Sequence, residues 1–254
     1  MTATAKTIWL SGASSGIGRA LALELCLAGH RVIACARRHS LLADLALEAE
    51  TKSLTGKIIP YALDVTDRTA HQDCIAELER DIGPIDLVIC NAGYYQPTPV
   101  ENYDAAVVLN MMDINFNSVI YMLEAILPRM RKRGTGQVAI VASVAGYSGL
   151  PNASAYGASK AALINLAESL HMDLARAGVL VQVINPGFVQ TPLTEQNKFK
   201  MPFLIPAEAA AKHIVRGLNT GKFEICFPKS FAWLLKFLRL LPYALYFRLV
   251  RNFR

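Results

Sequence analysis

Tyr156 and Lys160 stand four residues apart in Tyr156-Gly157-Ala158-Ser159-Lys160, and Ser143 lies upstream of them. On a helix, positions i and i+4 share a face, so the ammonium can sit beside the phenol and favour its ionised form. A free phenol titrates near about 10, too high for proton transfer at neutral pH, and a neighbouring cation is the usual way to bring it down. Close to the start, Ser11-Gly12-Ala13-Ser14-Ser15-Gly16-Ile17-Gly18 forms a glycine-rich turn whose backbone amides can approach a pyrophosphate. A proton-transfer pair and a phosphate cradle in one chain imply hydride transfer with a dinucleotide.

Such groups need a frame to bring them together. Short apolar, β-branched runs at Thr7–Leu10, Arg31–Cys35, Lys57–Tyr61, Leu87–Cys90, Val138–Ala142, Leu180–Ile184 and Glu224–Phe227 read as strands. Between them, helical periods predict helices over Ile17–Ala28, Ser40–Thr51, Arg68–Ile82, Ala105–Arg131, Ala155–Ala177 and Ala207–Leu218, with Gly29, Gly134 and Gly178 as stops. This alternation predicts an α/β fold: a doubly wound, Rossmann-type, seven-stranded parallel sheet covered on both faces. At 254 residues and 53% apolar content, one domain over 1–228 suffices, with a tail over 229–254.

The turn spacing, GxxxGxG, resembles that of the short-chain dehydrogenase/reductase family. Further marks of that family stand in order: Asp64-Val65 after the third strand, Asn91-Ala92-Gly93 after the fourth, Asn115, Ser143, Tyr156, Lys160, and Pro186-Gly187 with Thr191. The resemblance covers roughly residues 5 to 228 and implies a nicotinamide-dependent oxidoreductase. It gives Tyr156 the proton donor's role, Ser143 the developing alkoxide, Lys160 the tyrosinate and the nicotinamide ribose, and Asn115 a water relaying protons toward Lys160. A helix kink is the structural alternative for Asn115.

The same resemblance implies a cofactor site built from Gly12, Ser14, Ser15, Gly16, Ile17, Gly18, Arg37, Arg38, Asp64, Val65, Asn91, Ala92, Gly93, Tyr156, Lys160, Pro186, Gly187, Val189 and Thr191. Asp64 and Val65 would hold the adenine and Thr191 the carboxamide, while Asn91 braces the sheet and the cofactor loop. Where NAD-binding relatives place an acid after the second strand, this chain has Ala36 followed by Arg37 and Arg38. A guanidinium is the natural partner of a ribose 2′-phosphate, so NADP(H) is the expected cofactor. Arg37, first in the loop, is the better candidate; Arg38 adds charge or faces water, and Ser14 can also donate to the phosphate.

Substrate-side segments are Tyr94 and Tyr95, Val144 to Leu150, and Phe188 to Phe203. They are largely apolar, with Glu195, Lys198 and Lys200 in an expected lid. A small hydrophobic carbonyl or secondary alcohol fits better than a sugar or a polyanion. A 3-oxoacyl thioester on an acyl carrier protein is the alternative substrate, and a catalytically silent NADP-sensing protein the alternative from another class.

Five scattered cysteines (Cys26, Cys35, Cys74, Cys90, Cys226) make no CxxC pair and are expected as reduced core residues. The five histidines offer no metal-ligand spacing, and His171 and His213 are expected on helix surfaces. Met1 to Lys6 is too short and polar for a signal peptide, so a cytoplasmic protein is expected. The net charge is +6, and residues 222–254, with seven basic residues against Glu224, hold all of it. A helix from Ser230 to Leu241, broken at Pro242, would place Trp, Phe and Leu opposite Lys236 and Arg239. Two readings follow: an interfacial helix peripheral to an anionic membrane, or apolar faces packed on the body or across a subunit interface. No nucleic-acid-binding module accompanies the charge. Relatives commonly pair through helices corresponding to 105–131 and 155–177, so a homodimer or homotetramer is expected.

Overall fold

The computed structural model describes residues 5–197 and 201–251. Lys198, Lys200 and Arg254, which enter the lid and tail expectations, and residues 1–4 lie outside the described residues. Strands β1 (Thr7–Ser11), β2 (Arg31–Ala36), β3 (Lys57–Ala62), β4 (Leu87–Cys90), β5 (Gly136–Val141), β6 (Val179–Pro186) and β9 (Glu224–Phe227) form one parallel sheet in the order β3-β2-β1-β4-β5-β6-β9. The order reverses direction between β1 and β4, which opens a crevice at their carboxyl ends. Two residues each from β7 (Val189–Gln190) and β8 (Ile205–Pro206) pair separately; this pairing, too short to show a pattern, is absent from the sequence reading.

Side-chain alternation divides the core into two layers. Ile8, Leu10, Val32, Ala34, Leu87 and Ile89 point to the layer of α1 (Gly16–Leu27), α2 (His39–Thr51) and α7 (Ala207–Leu218). Trp9, Ile33, Cys35, Val88 and Cys90 point to the other, with α3 (Arg68–Asp81), α5 (Ser118–Arg133) and α6 (Ser154–Ala175). Both faces of each central strand are thus buried, as the continuous apolar runs require. Four cysteines are buried, Cys226 is partly so, and all five are free thiols.

The long helix expected over 105–131 runs from 105 to 133, but changes winding: α4 (Ala105–Met112) passes into a π-turn at Asp113–Asn117 before α5 begins. Among the described residues this is the one helix long and apolar enough to cross a membrane. Here Val119, Met122, Leu123, Ile126 and Met130 face the sheet as core. His171 departs from the expected surface role: it is half-buried, its Nδ1 lies 3.0 Å from the Val181 carbonyl, and its ring packs on Phe223. His213 is exposed and stacks on Phe227.

Past β9 the chain forms α8 (Lys229–Arg239) and α9 (Tyr243–Val250), joined across Pro242. One face of each is seated on the body, through Phe231, Ala232, Leu238, Tyr246 and Val250.

Candidate active site

The glycine-rich turn joins β1 to α1. Gly12 and Gly16 adopt left-handed φ of 68° and 54°, which an L side chain rarely adopts. A Cβ on Gly12 would stand 2.7 Å from the Ala92 Cα, and one on Gly16 3.1 Å from the Thr191 Cγ2. The 91–93 backbone and the Thr191 side chain therefore close on the turn where only glycine fits. Asn91 holds that convergence: its Nδ2 donates to the carbonyls of Ser11 (3.0 Å) and Gly12 (3.2 Å), while the amides of Asn91 and Ala92 both donate to the Ser11 hydroxyl. The expected bracing role of Asn91 matches this geometry. Ser15 precedes α1 without capping it, and no acidic residue stands in the first turn, so the positive end of the helix faces the cleft.

A cleft of about 500 Å³ runs from this turn to Tyr156. Of the predicted site residues, all but Asn115 line it. At one end Arg38 Nη2 donates to the Ser14 hydroxyl at 3.2 Å, and Arg37 stands beside it, exposed. Asp64 accepts from the amide and hydroxyl of Thr66 at 3.0 and 2.8 Å, and these bonds hold its carboxyl below the usual range. The Val65 carbonyl is engaged by His71 at 3.0 Å. Val189 and Thr191 are buried on the opposite wall, tied together by Thr194, whose hydroxyl donates to the Val189 carbonyl at 2.7 Å.

At the other end, β5 delivers Ser143 and α6 delivers Tyr156 and Lys160. Lys160 is buried; its Nζ donates to the Val141 carbonyl at 2.9 Å and lies 5.7 Å from the Tyr156 ring centroid. The sequence spacing predicts a phenol lowered by its neighbour, and here the structure differs. Burial pushes Tyr156 up to about 12, against a lowering hydrogen bond from Ser143, and burial pushes Lys160 down to about 8. Desolvation of both groups outweighs their attraction across this distance, so the neutral phenol, the proton-donating form, is favoured.

Asn115 is fully buried in the π-turn, behind the cleft wall. Its Oδ1 accepts from the Tyr94 amide at 2.7 Å, and its Nδ2 donates to the Tyr94 carbonyl (2.9 Å) and to the Ser159 hydroxyl (3.0 Å). Both amide hydrogens are committed to protein, so the side chain ties the 91–94 loop to α6. The extra residue of the π-turn coincides with this inward-facing amide.

Gly146, Tyr147 and Glu224 make contacts that the sequence reading did not assign. Gly146 lies against α6: a Cβ there would stand 2.7 Å from the Lys160 carbonyl carbon. Its place in Ser143-Val144-Ala145-Gly146 was the available signal. Tyr147 donates to Glu224 Oε1 at 2.6 Å, and Glu224 also takes a hydrogen bond from Asn185 and pairs with Lys236 of α8. Nothing in local spacing links residues so far apart in the chain. Tyr95, among the expected substrate-side residues, meets the Tyr156 ring edge-on at 5.2 Å.

A family profile for short chain dehydrogenases matches residues 6–201. An uncharacterised oxidoreductase of Myxococcus xanthus is 38% identical over 249 residues, covering 98% of each chain. A 3-oxoacyl-[acyl-carrier-protein] reductase of Thermotoga maritima is 33% identical, covering 75% of this chain and 77% of the other. The crystal structure of a short-chain dehydrogenase from Streptomyces avermitilis superposes with a TM-score of 0.79 at 27% identity, covering 92% of both chains.

Proposed function

The chain belongs to the short-chain dehydrogenase family of oxidoreductases, and on that premise we propose that it is an NADP(H)-dependent reductase of a hydrophobic carbonyl, or dehydrogenase of the corresponding secondary alcohol. The observation that carries this reading is the convergence of Ser143, Tyr156 and Lys160 at one end of a cleft whose other end holds Ser14, Arg37 and Arg38. The glycine cradle fits a pyrophosphate: a Cβ at Gly12 or Gly16 would crowd it, and the α1 amides aim into it. Two guanidiniums beside the Ser14 hydroxyl fit a 2′-phosphate, with no acid in their place. When bound, the nicotinamide supplies the hydride. Tyr156 gives its phenolic proton to the carbonyl oxygen, and Ser143 donates a hydrogen bond that strengthens as that oxygen becomes an alkoxide. Lys160 would hold charge beside the phenol and take the hydroxyls of the nicotinamide ribose. Asn115 is a positioning residue, acting through Tyr94 and Ser159.

Tyr94, Tyr95, Val144, Phe188 and Leu193 leave few charged anchors on the substrate side, which supports an apolar substrate. Leu109 on α4 and Met172 on α6 are exposed, on helices that contact each other, and support self-association there. The test is NADPH oxidation with ketones, aldehydes and acyl thioesters of graded chain length. Turnover of apolar ketones or aldehydes is expected; silence across the panel despite NADPH binding would overturn the reading. The Thermotoga relative favours a second reading, reduction of 3-oxoacyl thioesters, which selective thioester turnover would establish.

A further inference from the structure

The exposed apolar surface of this protein is concentrated in its last two helices. Trp233 and Phe237 of α8 and Leu240 at its C-terminal cap follow one another at i, i+4 and i+7, with 67%, 61% and 82% of their surface open to solvent. They occupy the side away from Phe231, Ala232 and Leu238, which are buried on the body. On α9, Tyr243, Leu245, Phe247 and Leu249 are likewise exposed. Isolated exposed apolar residues need no explanation, but a run of this kind on adjacent helices marks an interaction site.

The charge around it selects the partner. Lys229, Arg239, Arg248 and Arg251 are exposed and form no ion pair among the described residues. Lys236 behaves differently: it turns inward to Glu224 and serves the docking of α8. Apolar rings flanked by free cations, on a protein whose net charge resides in this segment, fit an anionic lipid surface. A second copy of the chain would bring the same cations against themselves.

The same helices hold the substrate side. Phe231 stacks on Phe188, just before β7, at 5.6 Å and meets Phe203, just before β8, at 5.8 Å. Phe203 and Leu204 are themselves exposed. A Cβ on Gly187 would stand 3.1 Å from the Phe231 ring, so α8 is seated directly against the cofactor loop. Tyr246 of α9 donates to the Gly149 carbonyl at 2.6 Å, and Leu150 packs with Leu238 and Val250.

We propose that the outer faces of α8 and α9, together with Phe203 and Leu204, dock on an anionic bilayer, so that the substrate entrance opens at the lipid interface. The docking stands on its own; that the entrance admits an apolar substrate rests on the reductase reading above.

The two tryptophans make the test direct, because Trp9 is fully buried and Trp233 is exposed. With vesicles of phosphatidylcholine containing phosphatidylglycerol as the minor component, Trp233 emission should shift to the blue and the protein should float with the vesicles. Phosphatidylcholine alone should bind far less, and salt should weaken the anionic interaction. Arg239→Gln and Arg248→Gln should each lower the vesicle partition about fivefold. In a Trp233→Phe background, Phe203→Trp should report the same blue shift beside α8. No flotation, equal binding to neutral vesicles, or a Trp233 shift that follows protein concentration without vesicles would overturn the docking. A Phe203→Trp probe that stays water-exposed on bound protein would overturn the placement of the entrance. None of these readouts needs turnover, so they stand or fail separately from the assigned chemistry.

Discussion

Lys160 holds its ammonium 5.7 Å from the Tyr156 ring centroid and bonded to the Val141 carbonyl, and burial drives the two groups' titrations apart, Lys160 down to about 8 and Tyr156 up to about 12. On the proposed chemistry, the form active in carbonyl reduction carries a neutral Tyr156 and a protonated Lys160. Reductase kcat/KM should therefore fall as pH rises through about 8, with the alcohol-oxidising direction gaining over the same range. Lys160→Met should remove that limb and lower turnover, and Tyr156→Phe should abolish turnover with NADPH affinity nearly unchanged. A flat reductase profile between pH 7 and 10 in the unmodified enzyme would remove Lys160 from the assignment.

The same burial has a signature in stability. The folded-state pKa of Lys160 lies below its unfolded value of about 10.4, so the unfolded chain binds more protons between about pH 8 and 10.4. The cost of burying the cation is in full force below about pH 8 and is relieved as pH rises through that window. Lys160→Met should raise the thermal midpoint at pH 7, and that gain should shrink toward pH 10. A loss of stability at pH 7 in this variant would show that the bond to Val141 outweighs desolvation.

Arg37→Ala and Arg38→Ala test the cofactor choice by measurement. Arg38 is already held by Ser14, while Arg37 is free to turn toward the cleft. A charged hydrogen bond to phosphate is worth about 1.5–3 kcal/mol, so each Arg→Ala change should weaken NADPH roughly tenfold to a hundredfold and NADH little. Equal losses for the two cofactors, read by fluorescence titration, would sink the 2′-phosphate assignment.

Gly146→Ala tests a contact that spacing alone did not reveal. The new Cβ would meet the backbone of Lys160 at 2.7 Å, where neither partner is the loose end of a side chain. The Ser143 turn and α6 must then separate, displacing Ser143 from Tyr156. A loss of at least tenfold in kcat is expected, with an overpacking cost of about 1–3 kcal/mol in stability. Wild-type kcat in a folded variant would show that the turn can move without consequence.

The sheet was legible because each central strand is buried on both faces and so appears as an uninterrupted apolar run, as in Leu87–Cys90 and residues 138–141 of β5. The glycines at the cofactor turn and the Tyr156–Lys160 spacing were legible because they are local. At Asn115 the sequence offered a helix kink only as an alternative to the water relay, since the π-turn coincides with tertiary bonds to Tyr94 and Ser159 that local spacing does not show. The direction of the Tyr156 shift was not legible: spacing reveals a neighbour, whereas desolvation depends on everything packed around it. For the tail, amphipathicity left open whether its apolar residues face the body or the outside. Both occur, because Phe231 and Tyr246 turn inward while Trp233 and Phe247 do not.

Glu224→Gln tests how the tail is fastened. Burial raises the carboxyl of Glu224, but hydrogen bonds from Lys236, Tyr147 and Asn185 more than offset this and leave it lowered. A lowered carboxyl contributes stability that is present above its unfolded pKa of about 4.3 and lost as pH falls through the folded value. Wild-type protein should therefore loosen α8 as pH falls below about 4.3, seen as faster amide exchange in 229–250 before the sheet opens. The glutamine variant should exchange faster in that segment already at pH 7, at a cost of about 1–3 kcal/mol, and should lack the acid-dependent step. Since Phe231 on the same helix packs on Phe188 and Phe203, KM for an apolar substrate should rise while NADPH affinity holds. Unchanged exchange in 229–250 would mean that the apolar contacts of Phe231, Leu238 and Tyr246 hold the tail without the ion pair.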